Sequence, residues 1–408
     1  MSAPARVLSV VDGALSGWVP WHPEAGITND GYIYLNNAAT SHPKSAVAVR
    51  CFSDSLARTP GGSRHGRLSA SRIETSREIV ADCLAISTEH VYFTSGATLA
   101  INQVQRSVVR RGRAVAVDNR SHNAVWRAAA NLPERAYLVL DLYDQTEELD
   151  RSSLNRAPVD DIALLCPTHA SNVTGSLYPI AAVVAAARRR WPNIHILLDA
   201  SQSAGLVDLR EAVRVCDYVV FPGHKHLHAL PGAAVVVSRH QLKPVIFGGT
   251  GSRGAHASPT ATGPLDWEVG TSNEPAICAL AGALSDATAH LHEYRQHDSM
   301  LLRELWERAQ EIPELEPLGR SPGEERLGTL ACRVNVGQPE IDWVPLLGDY
   351  RVVVRGGLHC SPLHHRQLHL EQSGTLRFSV GRFTTASDVS EAMARVASVG
   401  KALRELGV

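Results

Sequence analysis

The chain has 408 residues, of which 44% are hydrophobic and 20% charged, and its formal net charge is −1. This length exceeds the size at which one hydrophobic core keeps growing, so it predicts a large domain and a smaller one. The small net charge provides no electrostatic field for nucleic acid, and no apolar run is long enough to cross a bilayer. Residues 1–20 lack the features of a secretion signal, so the sequence predicts a cytoplasmic protein with no nucleic-acid or membrane partner.

Seven cysteines are spread thinly along the chain, and none forms a Cys-x-x-Cys pair. This spacing predicts neither a disulfide framework nor a metal site. Most of the cysteines lie in apolar contexts, where cysteine usually acts as a small buried hydrophobe. Cys360 differs, because its surroundings, LHCSPLHH, are polar and rich in histidine.

Short apolar runs alternate with longer alanine-rich stretches of helical period between about residues 90 and 240. Seven runs predict strands: VYFTS, AVAVD, AYLVLDL, IALLCP, IHILLDA, YVVFPG and AAVVV. The alternation predicts a doubly wound α/β domain with a mostly parallel sheet, because strands buried on both faces read as continuous apolar runs. Ligands bind such sheets at the loops that follow the carboxyl ends of the strands.

The C-terminal third has a different pattern. A Gly/Ser/Pro-rich stretch at residues 248–266 predicts a loop, and residues 283–312 predict a helical segment leading into a second domain. Further strand-like runs and a final helix predict a small α+β domain. We therefore predict a large domain over residues 31–282 and a smaller domain built from residues 1–30 and 283–408.

Two polar clusters follow the first predicted strands of the large domain. The small-residue turn that includes Ala97 and Thr98 precedes a helix, and free backbone N–H groups at a helix start can bind an anion. His122 follows AVAVD, where an imidazole can stack on a flat ring or carry protons. Taken singly, the turn also fits an ordinary capped helix, and the histidine fits a solvent-facing loop residue.

Two more clusters follow later strands. Asp199 closes IHILLD with Gln202 behind it, and a carboxylate there can keep a pyridine nitrogen protonated. Lys225 follows YVVFPG between His224 and His226, where burial and cationic neighbours favour a nucleophilic amine. Asp199 also fits a helix cap and Lys225 an exposed loop. The joint order of the four clusters favours one site.

Together these motifs resemble the class V aminotransferase family of fold-type I pyridoxal-phosphate enzymes, specifically its cysteine desulfurase and selenocysteine lyase branch. The resemblance covers nearly the whole chain, through IYLNNAATSHPK, TSGATLAIN, SHNAVWR, LLDASQSAG, FPGHKHL, EVGTSN, RGGLHCSPLHH and GTLRFSVG. It implies bound pyridoxal 5′-phosphate, a homodimer, and conversion of L-cysteine to L-alanine with the sulfur passing to Cys360 as a persulfide. A sulfur-acceptor protein is a further implied partner.

The resemblance also assigns roles to single residues. It implies that Lys225 carries the cofactor, that His122 stacks on its ring and that Asp199 pairs with its pyridine nitrogen. Arg377 would bind the substrate carboxylate. The other implied contacts are Asn172 and Gln202 around the ring oxygen, and Ala97, Thr98 and His224 around the phosphate, helped by Thr271 from a neighbouring subunit. We also expect Asn37, Arg355 and His359 near the substrate, where Arg355 and His359, close in sequence to Cys360, favour its thiolate.

The sequence departs from the family pattern at several positions. Asn36 replaces the usual aspartate, Pro222 stands where many members have a phosphate-binding serine, and Arg382 lies beside the expected substrate site. These departures leave alternatives open. The chain could be a lyase of a cysteine conjugate, selenocysteine or cysteine sulfinate with an idle Cys360, a transaminase or epimerase, or a non-catalytic scaffold.

Overall fold

The computed structural model describes residues 31–58, 67–109, 113–132, 136–157, 161–249, 264–323 and 325–407. The predicted assignment of residues 1–30 to the smaller domain lies outside these ranges. So does most of the predicted Gly/Ser/Pro-rich loop, residues 250–263.

The described residues form twelve strands in three sheets. In chain order they are β1 (Ile33–Tyr34), β2 (Val91–Thr94), β3 (Ala114–Asp118), β4 (Tyr137–Leu140), β5 (Ile162–Cys166), β6 (His195–Asp199), β7 (Tyr218–Pro222), β8 (Ala234–Ser238), β9 (Leu315–Pro317), β10 (Thr329–Val334), β11 (Val352–Val353) and β12 (Leu376–Ser379).

The largest sheet contains all seven strands that the apolar runs predict. Its order is β2-β8-β7-β6-β5-β3-β4, and β8 alone runs antiparallel to its neighbours. Strands β3, β5, β7 and β8 are buried along their whole length. Because both faces are covered, continuous apolar sequence is what these strands require. The prediction of a doubly wound, mostly parallel sheet is confirmed.

Helices cover the faces of this sheet and form much of the C-terminal part. Short 3-10 and π segments lie at Thr88–His90 and Pro339–Trp343. The α-helices of the described residues are α1 (Ala46–Leu56), α2 (Arg67–Leu84), α3 (Ala97–Val108), α4 (Asn123–Ala130), α5 (Ser152–Asn155), α6 (Ile180–Arg190), α7 (Arg210–Val215), α8 (Pro264–Trp267), α9 (Glu274–Ala289), α10 (Leu291–Gln310), α11 (Val344–Asp349), α12 (Pro362–Gln367) and α13 (Ala386–Leu406).

The predicted helical segment at residues 283–312 differs in detail. It contains the end of α9 and all of α10, separated by His290, whose φ of −112° and ψ of 21° leave the helical range. Both the backbone N–H and the imidazole Nδ1 of His290 bond to the carbonyl of Asp286. The side chain thus stabilises a helix end that hydrophobic periodicity does not indicate.

The C-terminal part has its own hydrophobic core. Strands β12, β10 and β9 form an antiparallel sheet, and helices α10 and α13 pack against each other beside it. Strand β1 pairs with β11, and Ile33 and Leu35 pack in this second core. The residue boundaries of the two domains stay a prediction. None of the helices in the described ranges combines the length and the apolar character that a membrane crossing requires.

Candidate active site

Five strands of the large sheet bring predicted site residues to one edge. Strands β3, β5, β6 and β7 are parallel, and β2 shares their direction because both it and β7 are antiparallel to β8. Their carboxyl ends therefore lie at the same edge. The predicted residues there are Ala97 and Thr98 after β2, His122 after β3, Asn172 after β5, Asp199 in β6 and Gln202 after it, and His224 and Lys225 after β7.

Lys225 lies among the charged residues of this edge. Its amine lies within electrostatic range of Asp199, Arg377, Cys360 and Arg355. Burial lowers the pKa of Lys225, and the opposing effect of Asp199 does not restore it. A lowered pKa increases the uncharged fraction of the amine, which is the nucleophilic form.

His122 presents a neutral ring beside this amine. It is the N-cap of α4, and its Nδ1 accepts the backbone N–H of Ala124 at 3.0 Å. Burial and the nearby Lys225 lower the pKa of His122 to about 4. Because a neutral imidazole that accepts through Nδ1 carries its proton on Nε2, the ring is a flat, uncharged donor at neutral pH.

Asp199 and Gln202 lie together after β6. The Asp199 Oδ1 accepts the Ser201 N–H at 3.0 Å, and within the described ranges the second oxygen has no hydrogen-bond donor. Gln202 donates through Nε2 to the carbonyl of Ala38 at 3.0 Å, and its Oε1 is 3.2 Å from His226 Nε2. Gln202 therefore ties the Lys225 loop to the segment that follows β1.

Cys360 lies on a loop with unusual backbone angles. His359 and Cys360 have φ values of 50° and 57°, a left-handed conformation that costs free energy for residues with a side chain. Asn172 holds the loop: its Nδ2 donates to the His359 carbonyl at 2.7 Å, and its Oδ1 accepts from Ser361 Oγ at 2.7 Å. The Asn123 N–H donates to the Cys360 carbonyl at 2.7 Å. No role for Ser361 or Asn123 was predicted from the sequence.

Two guanidinium groups face this loop. Arg355 and Arg377 exchange backbone hydrogen bonds, and Arg355 Nη2 donates to Cys360 Sγ at 3.6 Å. Arg377 donates through Nη1 to the Asn172 carbonyl at 2.8 Å and through Nη2 to Asn36 Oδ1 at 3.0 Å, while its buried Nε has no partner within the described ranges. Burial and the neighbouring Arg355 lower the pKa of Arg377 to about 9, so it stays a cation at neutral pH.

The contact between Arg377 and Asn36 shows what the departure from the family pattern at Asn36 changes. Asn36 stands where the family pattern has an aspartate, and its amide oxygen accepts from Arg377 without neutralising it. A carboxylate at the same position would form an ion pair with the guanidinium. With asparagine there, the positive charge of Arg377 remains available to an anionic ligand.

His224 is surrounded by polar residues of the segment after β1. Its Nδ1 lies 3.2 Å from Thr40 Oγ1, and its carbonyl accepts from the N–H and the hydroxyl of Ser41. Lys44 Nζ donates to Ser41 Oγ at 3.1 Å, and burial lowers the pKa of Lys44 to about 8. This segment, ATSHPK, is part of the family resemblance, but these contacts were not predicted from the sequence.

Two predicted substrate residues, Asn37 and His359, make hydrogen bonds to other parts of the protein. Asn37 is fully buried, and its amide donates to the Ser379 carbonyl at 3.0 Å and accepts the His42 N–H at 3.1 Å. The His359 Nε2 lies 2.8 Å from the Thr375 hydroxyl. The Asn37 side chain therefore stabilises the backbone around the site, whereas the buried His359 Nδ1 has no partner within the described ranges.

Two further sequence expectations concern positions at the margin of the site. The Arg382 guanidinium donates to Asp286 at 2.7 Å and lies 3.8 Å from the ring centre of Tyr294, so it joins α9 and α10 to the C-terminal part. Thr271 is exposed and lines a cavity of about 300 Å³ together with Ser95 and Leu99 of the same chain.

Comparison with known proteins agrees with the resemblance. Residues 33–391 match the family described as aminotransferase class-V. A probable cysteine desulfurase of Pseudomonas aeruginosa is 30% identical, with 91% of this chain and 95% of that one aligned. A probable cysteine desulfurase of Vibrio cholerae is 27% identical over 91% of this chain and 94% of that one.

Solved structures share the fold. An apo cysteine desulfurase from Thermococcus onnurineus superposes with a TM-score of 0.81 at 22% identity, covering 92% of this chain and 96% of the other. A cysteine desulfurase from Escherichia coli gives 0.79 at 22% identity, covering 94% and 100%. The architecture is thus that of fold-type I enzymes, as the sequence analysis expected. Because the family match spans most of its length, the chain belongs to the class-V aminotransferase family.

Proposed function

We propose that this chain is a pyridoxal-phosphate-dependent cysteine desulfurase that converts L-cysteine to L-alanine and takes the sulfur on Cys360 as a persulfide. One observation carries the proposal: the Cys360 sulfur, which accepts a hydrogen bond from Arg355, lies within electrostatic range of the Lys225 amine. The relatives named as cysteine desulfurases support it across nearly their whole length.

The donor groups at the sheet edge fit pyridoxal phosphate. Lys225 offers an amine with a lowered pKa for the aldehyde, and Asp199 offers a carboxylate oxygen without a donor for the pyridine nitrogen. His122 offers a neutral ring, and the start of α3 at Ala97 and Thr98 offers backbone N–H groups for the phosphate. Binding of pyridoxal phosphate therefore accounts for a buried amine, a carboxylate and an imidazole at one edge of the sheet.

When bound, the cofactor supplies an electron sink for the bonds at the substrate Cα. The protein supplies the rest. Lys225 would move the proton at Cα, for which its lowered pKa is suited, and the Asp199 carboxylate would hold the pyridine nitrogen. Arg377 orients the substrate by its carboxylate, with Asn36 and the Asn172 carbonyl fixing the guanidinium.

Cys360 takes the sulfur in the step that follows. Its thiolate attacks the substrate sulfur, the Cβ–S bond of the substrate breaks, and an S–S bond forms on Cys360 Sγ. The carbon fragment takes up protons and leaves as alanine. Asn172 and Ser361 hold the strained loop that carries Cys360, so the sulfur keeps its position between turnovers.

We expect Arg377→Lys to raise the KM for L-cysteine by roughly 10- to 100-fold with a smaller change in kcat. Lysine keeps the charge but loses the planar, two-point hydrogen bonding, which is worth about 1.5–3 kcal/mol for charged groups. Steady-state kinetics measures this, and the cofactor absorption band should stay unchanged. The matched control is Arg333→Lys, at a half-exposed arginine that pairs with Glu316. An unchanged KM would remove Arg377 from carboxylate binding.

A substrate panel tests the reaction itself. The purified holoenzyme is incubated separately with L-cysteine, L-selenocysteine, L-cysteine sulfinate and a cysteine S-conjugate, and the products are identified. The proposal expects alanine from L-cysteine together with a protein persulfide. Pyruvate, a free thiol or a racemised amino acid, with no alanine, would contradict it.

A lyase that acts on another cysteine derivative is the second candidate function. The observation that favours it is Asn36, because an uncompensated Arg377 can bind a second anionic group such as a sulfinate as well as a carboxylate. In that case the panel gives its highest rate with the sulfinate or conjugate, and Cys360 is not needed.

The proposal extends to the assembly and its partners. It includes a homodimer in which Thr271 reaches the phosphate of the neighbouring subunit, which its exposure permits. It also includes a protein or small thiol that collects the sulfur, and a cytoplasmic location.

A further inference from the structure

Three side chains with metal-binding atoms meet at the sheet edge opposite Lys225. His195 begins β6, Asp217 immediately precedes β7, and His240 follows β8 after one intervening residue. Because β6 and β7 are parallel and β8 is antiparallel to β7, these three positions lie at the same edge. Asp217 is 22 residues after His195 and 23 before His240, so the three side chains meet only in the folded protein.

The distances between the three groups suit one ion. Asp217 Oδ1 lies 2.8 Å from His240 Nε2 and 4.0 Å from His195 Nδ1, and one donor atom from each residue lies within 4.8 Å of the others. Tetrahedral zinc, with bonds of about 2.0–2.2 Å, separates neighbouring donors by about 3.3 Å. The required adjustment is small, and the His240 side chain is 47% exposed and free to make it.

The surroundings hold the carboxylate in a binding orientation. Asp217 Oδ2 accepts the Ile196 N–H at 2.9 Å and Arg188 Nη2 at 3.0 Å, so Oδ1 is the oxygen that faces the imidazoles. Hydrogen bonds of this kind orient metal ligands in known sites. The Tyr218 hydroxyl lies 3.4 Å from His195 Nδ1, and Arg113 and Arg188 are also within electrostatic range of His195.

The geometry points to a site for one divalent transition-metal ion of the zinc class, bound by His195 Nδ1, Asp217 Oδ1 and His240 Nε2, with water completing the coordination. Nitrogen and oxygen donors of this kind suit zinc, and three protein ligands leave one position open. The ion would join the ends of three adjacent strands on the side of the sheet away from Lys225. It therefore acts on stability and not on the chemistry at Lys225.

The test is a zinc titration of the holoenzyme by calorimetry. It is carried out in the Cys360→Ser protein, so that the ion cannot occupy that thiol. We expect one zinc ion per chain, tetrahedral visible absorption when cobalt replaces zinc, and a melting temperature a few degrees higher with zinc than with chelator. His240→Ala and Asp217→Asn should each weaken zinc binding at least about 100-fold and remove the zinc-dependent rise in melting temperature.

The matched control is His290→Ala. His290 forms a comparable pair with Asp286, at 3.3 Å, which no third metal-binding side chain joins among the described residues, and its loss should leave zinc affinity unchanged. The unchanged cofactor absorption band of His240→Ala, whose side chain is half exposed, confirms folding. If the parent protein binds no zinc, or if the His240→Ala protein binds it equally well, the cluster is a hydrogen-bonded ion pair only and the inference is overturned.

Discussion

Lys225→Ala should abolish covalent cofactor binding and lower the rate of alanine formation by at least about 10⁴-fold. The physical reason is that the same amine holds the cofactor and moves the proton at Cα. Burial lowers the pKa of this amine against the opposing effect of Asp199, and within the described ranges no other lysine shares that setting. The absorption spectrum of the purified protein and an alanine assay measure the two effects.

The control for this experiment is Lys243→Ala. Lys243 is exposed, and its backbone N–H, not its amine, bonds to Ser107. Its spectrum and rate should match those of the parent protein. A Lys225→Ala protein that keeps the parent absorption band after dialysis would contradict the assignment.

Cys360→Ser should eliminate the persulfide and lower alanine formation roughly 10³-fold or more, while leaving the cofactor absorption band in place. A serine hydroxyl fills nearly the same space but does not accept sulfur. The contacts that hold the loop use the carbonyl of residue 360 and the side chains of Asn172 and Ser361, so they survive the change. Mass spectrometry after one turnover with L-cysteine detects the added sulfur.

Cys83→Ser is the control for cysteine loss. Cys83 is also partly exposed but lies in α2, and its replacement should leave both readouts unchanged. If Cys360→Ser releases alanine from cysteine at the parent rate, Cys360 is idle and the lyase interpretation replaces the proposal.

The large sheet could be predicted because its signal is local and repeated. Each of β3, β5 and β7 is buried on both faces, so each strand leaves an uninterrupted apolar run in the sequence. The end of α9 at His290 could not be predicted, because it depends on one imidazole that forms a hydrogen bond with the Asp286 carbonyl. Hydrophobic periodicity carries no information about such a contact.

The site was predictable where residues follow strands and less so where distant segments meet. Lys225, Asp199 and His122 follow apolar runs, which is why the sequence indicated them. The bonds from Asn172 to His359 and Ser361 join residues more than 180 positions apart. The His195, Asp217 and His240 cluster likewise depends on strand order, because no spacing in the sequence marks it as a metal site.

Borohydride reduction of the holoenzyme followed by peptide mapping locates the attachment of the cofactor, because it converts a cofactor held by a lysine imine into a stable label. We expect a single pyridoxyl-modified residue, Lys225, in the peptide that contains FPGHKHL. A label on Lys44 or any other lysine, or no label in a protein that still produces alanine from cysteine, would contradict it.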